Sequence, residues 1–167
     1  SMIWGWLNVI TFVIISFSIG IFMEIIGTKT GLIFGGKYKF NLKLSPGPSI
    51  YGIPLIIPLS WSGLIYMIIN YCELVIAGSL YFLQNQNITL LFLPSILMVL
   101  LDLVLDPIAV DEKRWSWKKS GAYYGVPFLN FVGWLFTTFL ILFVFRLFQF
   151  EFKIDKEIDF FFMHSPG

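Results

Sequence analysis

The stretch Ile88–Asp106, ITLLFLPSILMVLLDLVLD, is predominantly apolar as far as Leu105 and carries two aspartates at its end. A helix that crosses the hydrocarbon core of a bilayer needs about 20 consecutive, mainly apolar residues. This stretch therefore predicts a membrane span at 88–106. Residues 3–26 and 126–149 have the same character and predict two more spans.

The composition of the whole chain agrees with this interpretation. Of its 167 residues, 57% are hydrophobic, 19% are aromatic and only 13% are charged, whereas about 25% of the residues of a soluble domain are charged. The net charge of +1 gives no reason to expect a nucleic-acid partner. The single cysteine, Cys72, excludes a disulfide within the chain.

The apolar region at 51–83 is too long for one simple span, and Pro54 and Pro58 lie near its start. Proline interrupts a helix unless it lies in the first turn, so we expect an interfacial or re-entrant segment at 50–60 and a span at 61–83. The first span lacks the basic start of a cleaved signal peptide and is expected to be a true helix. The sequence thus predicts an all-α, polytopic transmembrane helix bundle, one domain over 1–167 with about four spans.

Two loops of the predicted bundle are basic. The first carries Lys29, Lys37, Lys39 and Lys43, and the second carries Lys113, Arg114, Lys118 and Lys119. Basic residues of short loops mark the cytoplasmic side of a membrane protein. We therefore expect an integral protein of the cell membrane with both loops in the cytoplasm and both termini outside.

Three carboxyl groups lie at the predicted cytoplasmic ends of spans. Asp102 and Asp106 are four residues apart, so they project from one helical face, and Glu24 lies at a similar depth. A charged side chain within the bilayer costs about 2.5 to 3.5 kcal/mol on insertion scales and often marks a functional site. These residues are the predicted catalytic groups.

Simpler roles are open for the acidic residues. Asp106 precedes Pro107 and fits a loop cap at the headgroup level, and Glu24 fits a surface pair with a loop lysine. Glu73, in the middle of the second span, fits either a second polar site or a hydrogen-bonding partner in helix packing.

Aromatic and amide side chains are predicted at the same depth as the aspartates. Trp115 and Trp117 fit an interfacial aromatic belt. Asn130 and Trp134 share one face of the fourth span, and the second basic loop is expected to cover a pocket there. The predicted substrate-binding residues are Trp61, Tyr123, Tyr124, Asn130 and Trp134.

Four blocks closely resemble the integral-membrane carotenoid biosynthesis protein family. They are EIIGTKTGLIFGGKYKF at Glu24–Phe40, GIPLIIPLSW at Gly52–Trp61, DLVLDPIAV at Asp102–Val110 and WSWKKSGAYYGVPFLNFVGW at Trp115–Trp134. Characterised members are hydratases that add water to the terminal double bond of acyclic carotenoids without a redox cofactor. The resemblance implies a cofactor-independent carbon–oxygen lyase, with a long-chain carotenoid or isoprenoid lipid as substrate and membrane lipids as surroundings. A homo-oligomer, or association with other carotenoid enzymes, is compatible with it.

Hydration of a trisubstituted alkene needs a proton donor, stabilisation of a tertiary carbocation, and a base that directs water. Two neighbouring carboxyl groups resist double ionisation, so one of Asp102 and Asp106 can serve as the general acid. Its partner or Glu24 would activate water. Asn130 and Tyr124 would orient the reacting groups. Tryptophan and tyrosine faces stabilise cations by up to about 2 kcal/mol.

Two other functions use the same residues differently. In a prenyl-diphosphate enzyme, the aspartates would hold Mg²⁺ and the basic loop would bind the diphosphate. In a lipid-binding or transport protein, the carboxylates would form a proton or cation relay. No metal site is predicted for the hydratase, since the one histidine, His164, lies in the tail.

Overall fold

The computed structural model describes residues 5–78 and 86–148. Four helices dominate this part of the chain, namely α1 (Gly5–Thr30), α2 (Ile56–Gly78), α3 (Gln86–Asp111) and α4 (Phe128–Phe148). Four short strands lie in the connections, namely β1 (Tyr38–Phe40), β2 (Ser49–Ile50), β3 (Ile53–Pro54) and β4 (Trp115–Trp117). The predicted helix bundle is confirmed, and the strands are an addition that the sequence interpretation did not contain.

The helices pack in the cyclic order α1, α2, α3, α4, with α1 also contacting α4. Within the described residues, three helical segments are long and apolar enough to cross a membrane: Gly5–Thr30, Ile88–Asp111 and Phe128–Phe148. Helix α2 has 23 residues and is therefore about 35 Å long at 1.5 Å per residue, but Asn70 and Glu73 make it more polar. The chain is a membrane protein built on these helices.

The helix bounds differ from the predicted spans where prolines occur. Strands β2 and β3 form a hairpin before α2, and α2 begins at Ile56, so Pro58 lies in its first turn. There proline is tolerated, because the first turn has no backbone bond to lose. The predicted ends at 3–4, 79–83 and 149, together with His164, lie outside the described residues.

Helix α3 continues through Pro107 to Asp111 instead of ending at Asp106. Proline has no backbone N–H, so Pro107 leaves the carbonyl of Leu103 without its helical donor. The Tyr123 hydroxyl donates to that carbonyl at 3.2 Å. Asp106 consequently lies inside a helix and is 2% exposed, which contradicts its interpretation as a solvated loop cap.

The first long connection is fixed to the bundle by Phe34, which is fully buried. Its ring stacks on Trp134 with 5.1 Å between centroids, and its carbonyl accepts a hydrogen bond from Trp117 Nε1 at 3.0 Å. A Cβ atom at Gly27 or Gly133 would lie 2.3 or 2.7 Å from this ring. The two glycines therefore make room for Phe34, and Phe34 positions the strand that follows.

Strands β1 and β4 join the two basic loops in an antiparallel ribbon, which pairs Tyr38 with Trp117 and Phe40 with Trp115. Alternate residues of a strand point to opposite faces. Tyr38 and Trp117 are accordingly buried, whereas the adjacent residues Lys39 and Ser116 are exposed. The ribbon covers the end of the bundle at which the aspartates lie.

Glu73 contacts Arg146 of α4, with 3.3 Å between Oε1 and Nη2. Glu73 lies sixteen residues after Ile57 on α2, and Arg146 lies sixteen residues after Asn130 on α4. At 1.5 Å per residue each is about 24 Å along its helix from that position. Of the two roles considered for Glu73, the contact favours a partner in helix packing.

Candidate active site

The centre of the site is a bridge between α3 and α4. Asp102 and Asp106 lie one turn apart on α3, and Asn130 lies in the first turn of α4. Asn130 Nδ2 donates to Asp102 Oδ2 at 3.0 Å and to Asp106 Oδ2 at 2.5 Å. An amide nitrogen has two N–H groups, so one is available for each carboxyl group. All three side chains are buried, and a single residue holds the acid pair together.

The two aspartates differ in what they reach. Asp106 lines a small cavity at the centre of the site, whereas Asp102 lies behind it and is fully buried. Asp102 Oδ1 has no hydrogen-bond partner among the described residues. A buried polar atom without a partner costs free energy, and such atoms in native structures call for an explanation such as a catalytic role. Asp106 is thus the member of the pair that a bound molecule can contact.

Glu24 and Tyr38 form a second hydrogen-bonded pair, in which the Tyr38 hydroxyl donates to Glu24 Oε2. Glu24 is 2% exposed, so the alternative of a solvated pair between Glu24 and a loop lysine is wrong. Burial, and next the Glu24 carboxylate, raise the pKa of Tyr38 well above its ordinary value. The phenol therefore keeps its proton and remains a hydrogen-bond donor to Glu24.

Asp106 and the Glu24–Tyr38 pair line a common cavity, which has room for about one water molecule. The structure brings together five of the predicted site residues here, and five further residues complete the wall. The lining residues are Glu24, Tyr38, Phe40, Ile57, Trp61, Asp106, Trp115, Trp117, Asn130 and Trp134.

Aromatic rings form most of the remaining wall. Trp61 and Trp134 lie 4.5 Å apart between ring centroids, and Tyr38 and Trp117 lie 5.3 Å apart. Trp115 and Trp117, interpreted from sequence as an aromatic belt, are part of this wall. The alternation of aromatic and polar residues in YKF and WSW has the two-residue period of a strand, and this pattern could have indicated their position.

Two predicted substrate-binding residues lie elsewhere. Tyr124 is 75% exposed, and Tyr123 packs against Phe131 and satisfies the Leu103 carbonyl. Neither lines the cavity, so the structure gives Tyr123 a structural role and leaves Tyr124 at the surface.

In the described ranges, no three histidine, cysteine or acidic side chains are grouped so that they would hold a metal ion. The chemistry that the residues of this cavity offer directly is proton transfer, carried by carboxyl, phenol and amide groups around an aromatic wall.

Comparison with known proteins adds three findings. Bisanhydrobacterioruberin hydratase of Haloarcula japonica is 30% identical to this chain over 118 residues, which are 68% of this chain and 36% of that protein. The chain thus spans little more than a third of the length of this relative. No solved structure matches the chain.

The sequence also matches the family model described as carotenoid biosynthesis protein, over residues 2–161. This range includes all of the cavity residues and all four helices. The chain therefore belongs to the carotenoid biosynthesis protein family.

Proposed function

We propose that this protein is a membrane hydratase that adds water to the terminal double bond of an acyclic carotenoid or related isoprenoid, without a cofactor. One observation carries the proposal: Asp106, hydrogen-bonded to Asn130, and the Glu24–Tyr38 pair line one aromatic cavity with room for about one water molecule. The hydratase from Haloarcula japonica supports the reaction class.

The proton would come from Asp106, because Asp106 is the aspartate that lines the cavity. A general acid must hold a proton before it delivers one, and two adjacent buried carboxyl groups hold one proton between them readily. Asp102, joined to Asp106 through Asn130, acts as the second carboxyl group of the pair. Transfer of the proton to the CH carbon of the alkene leaves a tertiary carbocation at the carbon that carries two methyl groups.

Capture of this cation requires a water molecule and a base. The faces of Trp61 and Trp134 stabilise the cation, a contribution of up to about 2 kcal/mol for a desolvated pair. Glu24, oriented by the Tyr38 hydroxyl, directs the attacking water and accepts its proton. The new C–O bond completes the tertiary alcohol, and return of the proton to the aspartate pair through water restores the starting state.

The membrane position of the cavity suits both reactants. It lies at the end of the bundle covered by the two basic loops, which the distribution of basic residues assigns to the cytoplasm. A long polyene dissolves in the bilayer, whereas water comes from the aqueous side. The site lies where the two meet.

The proposal is tested with the purified protein in lipid nanodiscs that contain lycopene, in H₂¹⁸O. We expect a product with ¹⁸O in a tertiary hydroxyl group, detected by mass spectrometry. Asp106→Asn should form this product at least about a hundredfold more slowly, while exposed Asp111→Asn, at the end of the same helix, should match the wild type. Absence of labelled product from folded wild-type protein would overturn hydration of this substrate.

A further inference from the structure

A groove on the surface of the bundle adjoins the catalytic cavity. It runs between the first turns of α2 and the last turns of α3. Leu64, Leu105 and Ile108 contribute to its apolar wall, and Ile108 is 50% exposed. Ser45, Glu112 and Arg114, from the connections and the end of α3, line the groove as well. Helix α3 is long and apolar enough to cross a membrane, so such an exposed apolar wall is suited to face lipid rather than water.

The groove and the cavity share three lining residues, Ile57, Trp61 and Trp115. These side chains have the cavity on one side and the groove on the other, so they form the partition between the two spaces. The cavity has room for about one water molecule, so the reacting end of a polyene enters it only if the partition side chains move aside. The remainder of such a molecule needs an apolar site that is continuous with the cavity.

The pocket on the outer side of the ribbon also adjoins the cavity, at Tyr38 and Trp117, but its lining is basic, with Lys37, Lys39 and Lys118. Strands β1 and β4 cover the cavity there, and Tyr38 and Trp117 of this ribbon are each 8% exposed. The outer face of the ribbon carries Lys39 and other basic residues, which suit water or headgroups rather than a hydrocarbon chain. Access from the bilayer is therefore the route that the apolar surface provides.

We propose that the α2–α3 groove binds the hydrocarbon chain of an acyclic polyene, and that its terminal double bond reaches Asp106 by passing the partition of Trp61 and Trp115. The proposal rests on the proposed function for the identity of the ligand. It makes the groove a lateral binding site, which lets the substrate enter from the membrane without crossing water.

The test fills the groove and measures binding separately from hydration. Lycopene is achiral, so its visible circular dichroism in nanodiscs reports a chiral protein site rather than dissolution in lipid. Ile108→Trp should lower the lycopene affinity measured from this signal about tenfold, as expected when a bulky side chain is forced into an occupied site. Ile96→Trp is the matched control, because Ile96 lies on the same helix, is 47% exposed and does not line the groove.

A second variant tests the groove independently if the first fails to fold. Ser60→Trp adds the same bulk on the α2 wall at an exposed position. Loss of the dichroism in either folded variant, with the control unchanged, supports the groove. Wild-type binding in both variants, or no induced dichroism in the wild type, overturns it. Induced dichroism without hydration in the wild type would overturn the proposed function and leave the groove standing.

Discussion

Asn130 Nδ2 lies 2.5 Å from Asp106 Oδ2 and 3.0 Å from Asp102 Oδ2. The bridge connects α3 to α4 at the point where both helices border the cavity. Asn130 is therefore a positioning residue for the acid pair, and it also satisfies carboxyl oxygens that have no access to bulk water.

Replacement of Asn130 by leucine is expected to lower both stability and activity. The variant keeps the volume but leaves two buried carboxyl groups without their shared donor, at a cost of about 1 to 3 kcal/mol for each unsatisfied group. Thermal unfolding in nanodiscs measures the first effect and labelled lycopene hydrate the second. Thr137→Val is the control, since within the described residues the Thr137 hydroxyl bonds to the Gly133 carbonyl of its own helix. Wild-type turnover by Asn130→Leu would contradict the role of the bridge.

The two aspartates should be unequal. Asp106 lines the cavity and Asp102 does not, so Asp106→Asn should reduce the hydration rate by about 10²- to 10⁴-fold, the usual contribution of a general acid. Asp102→Asn should retain more activity, because asparagine can still accept a hydrogen bond from Asn130. Single-turnover rates of the two variants decide the order, and a larger loss in Asp102→Asn would reverse the assignment.

Tyr38→Phe should impair catalysis without disturbing the fold of the ribbon. The ring can still pack against Phe34 and Trp117, but Glu24 loses its described hydrogen-bond donor. We expect a fall in the rate with lycopene binding retained, measured by mass spectrometry and induced dichroism. Tyr124→Phe is the matched control at an exposed position. If Tyr124→Phe loses as much activity as Tyr38→Phe, the assignment of these tyrosines is wrong.

Metal removal distinguishes the hydratase from a magnesium-dependent prenyl-diphosphate enzyme. Hydration by carboxyl groups should be unchanged in EDTA, because no step needs a metal ion. Activity on a prenyl diphosphate that disappears in EDTA and returns with Mg²⁺ would instead support the alternative. Substitution of Lys118 and Lys119 by glutamine should weaken diphosphate binding only in that case.

The Glu73–Arg146 contact predicts a stability effect far from the cavity. Removing one partner of a fully buried ion pair costs about 3 to 5 kcal/mol. We expect Arg146→Met to cost less, because the two side chains are 23% and 17% exposed. The double variant with Glu73→Gln should recover part of the loss, and hydration per folded molecule should stay at the wild-type level. Thermal unfolding of the four proteins in the cycle measures the coupling.

The sequence predicted the bundle and half of the cavity wall. Apolar stretches of bilayer length indicated the helices, and the depth of Glu24, Asp106 and Asn130 along them indicated that these residues would meet. Tyr38 was missed, because its position in a basic loop gave no indication that the loop would fold back onto Glu24. Tyr123 and Tyr124 were predicted at the pocket from the aromatic character of their segment, which does not specify which rings face inward.

Sequence by itself determined which segments are helical and that the chain is a membrane protein, because apolar length and the position of charges act locally along the chain. It also established that Asp102 and Asp106 share a face, since helical periodicity fixes that relation. Only the tertiary structure decided that one amide bridges both carboxyl groups, and that the β1–β4 ribbon brings Tyr38 to Glu24. Those contacts depend on the packing of Phe34 between Gly27, Gly133 and Trp134, and no local pattern contains that information.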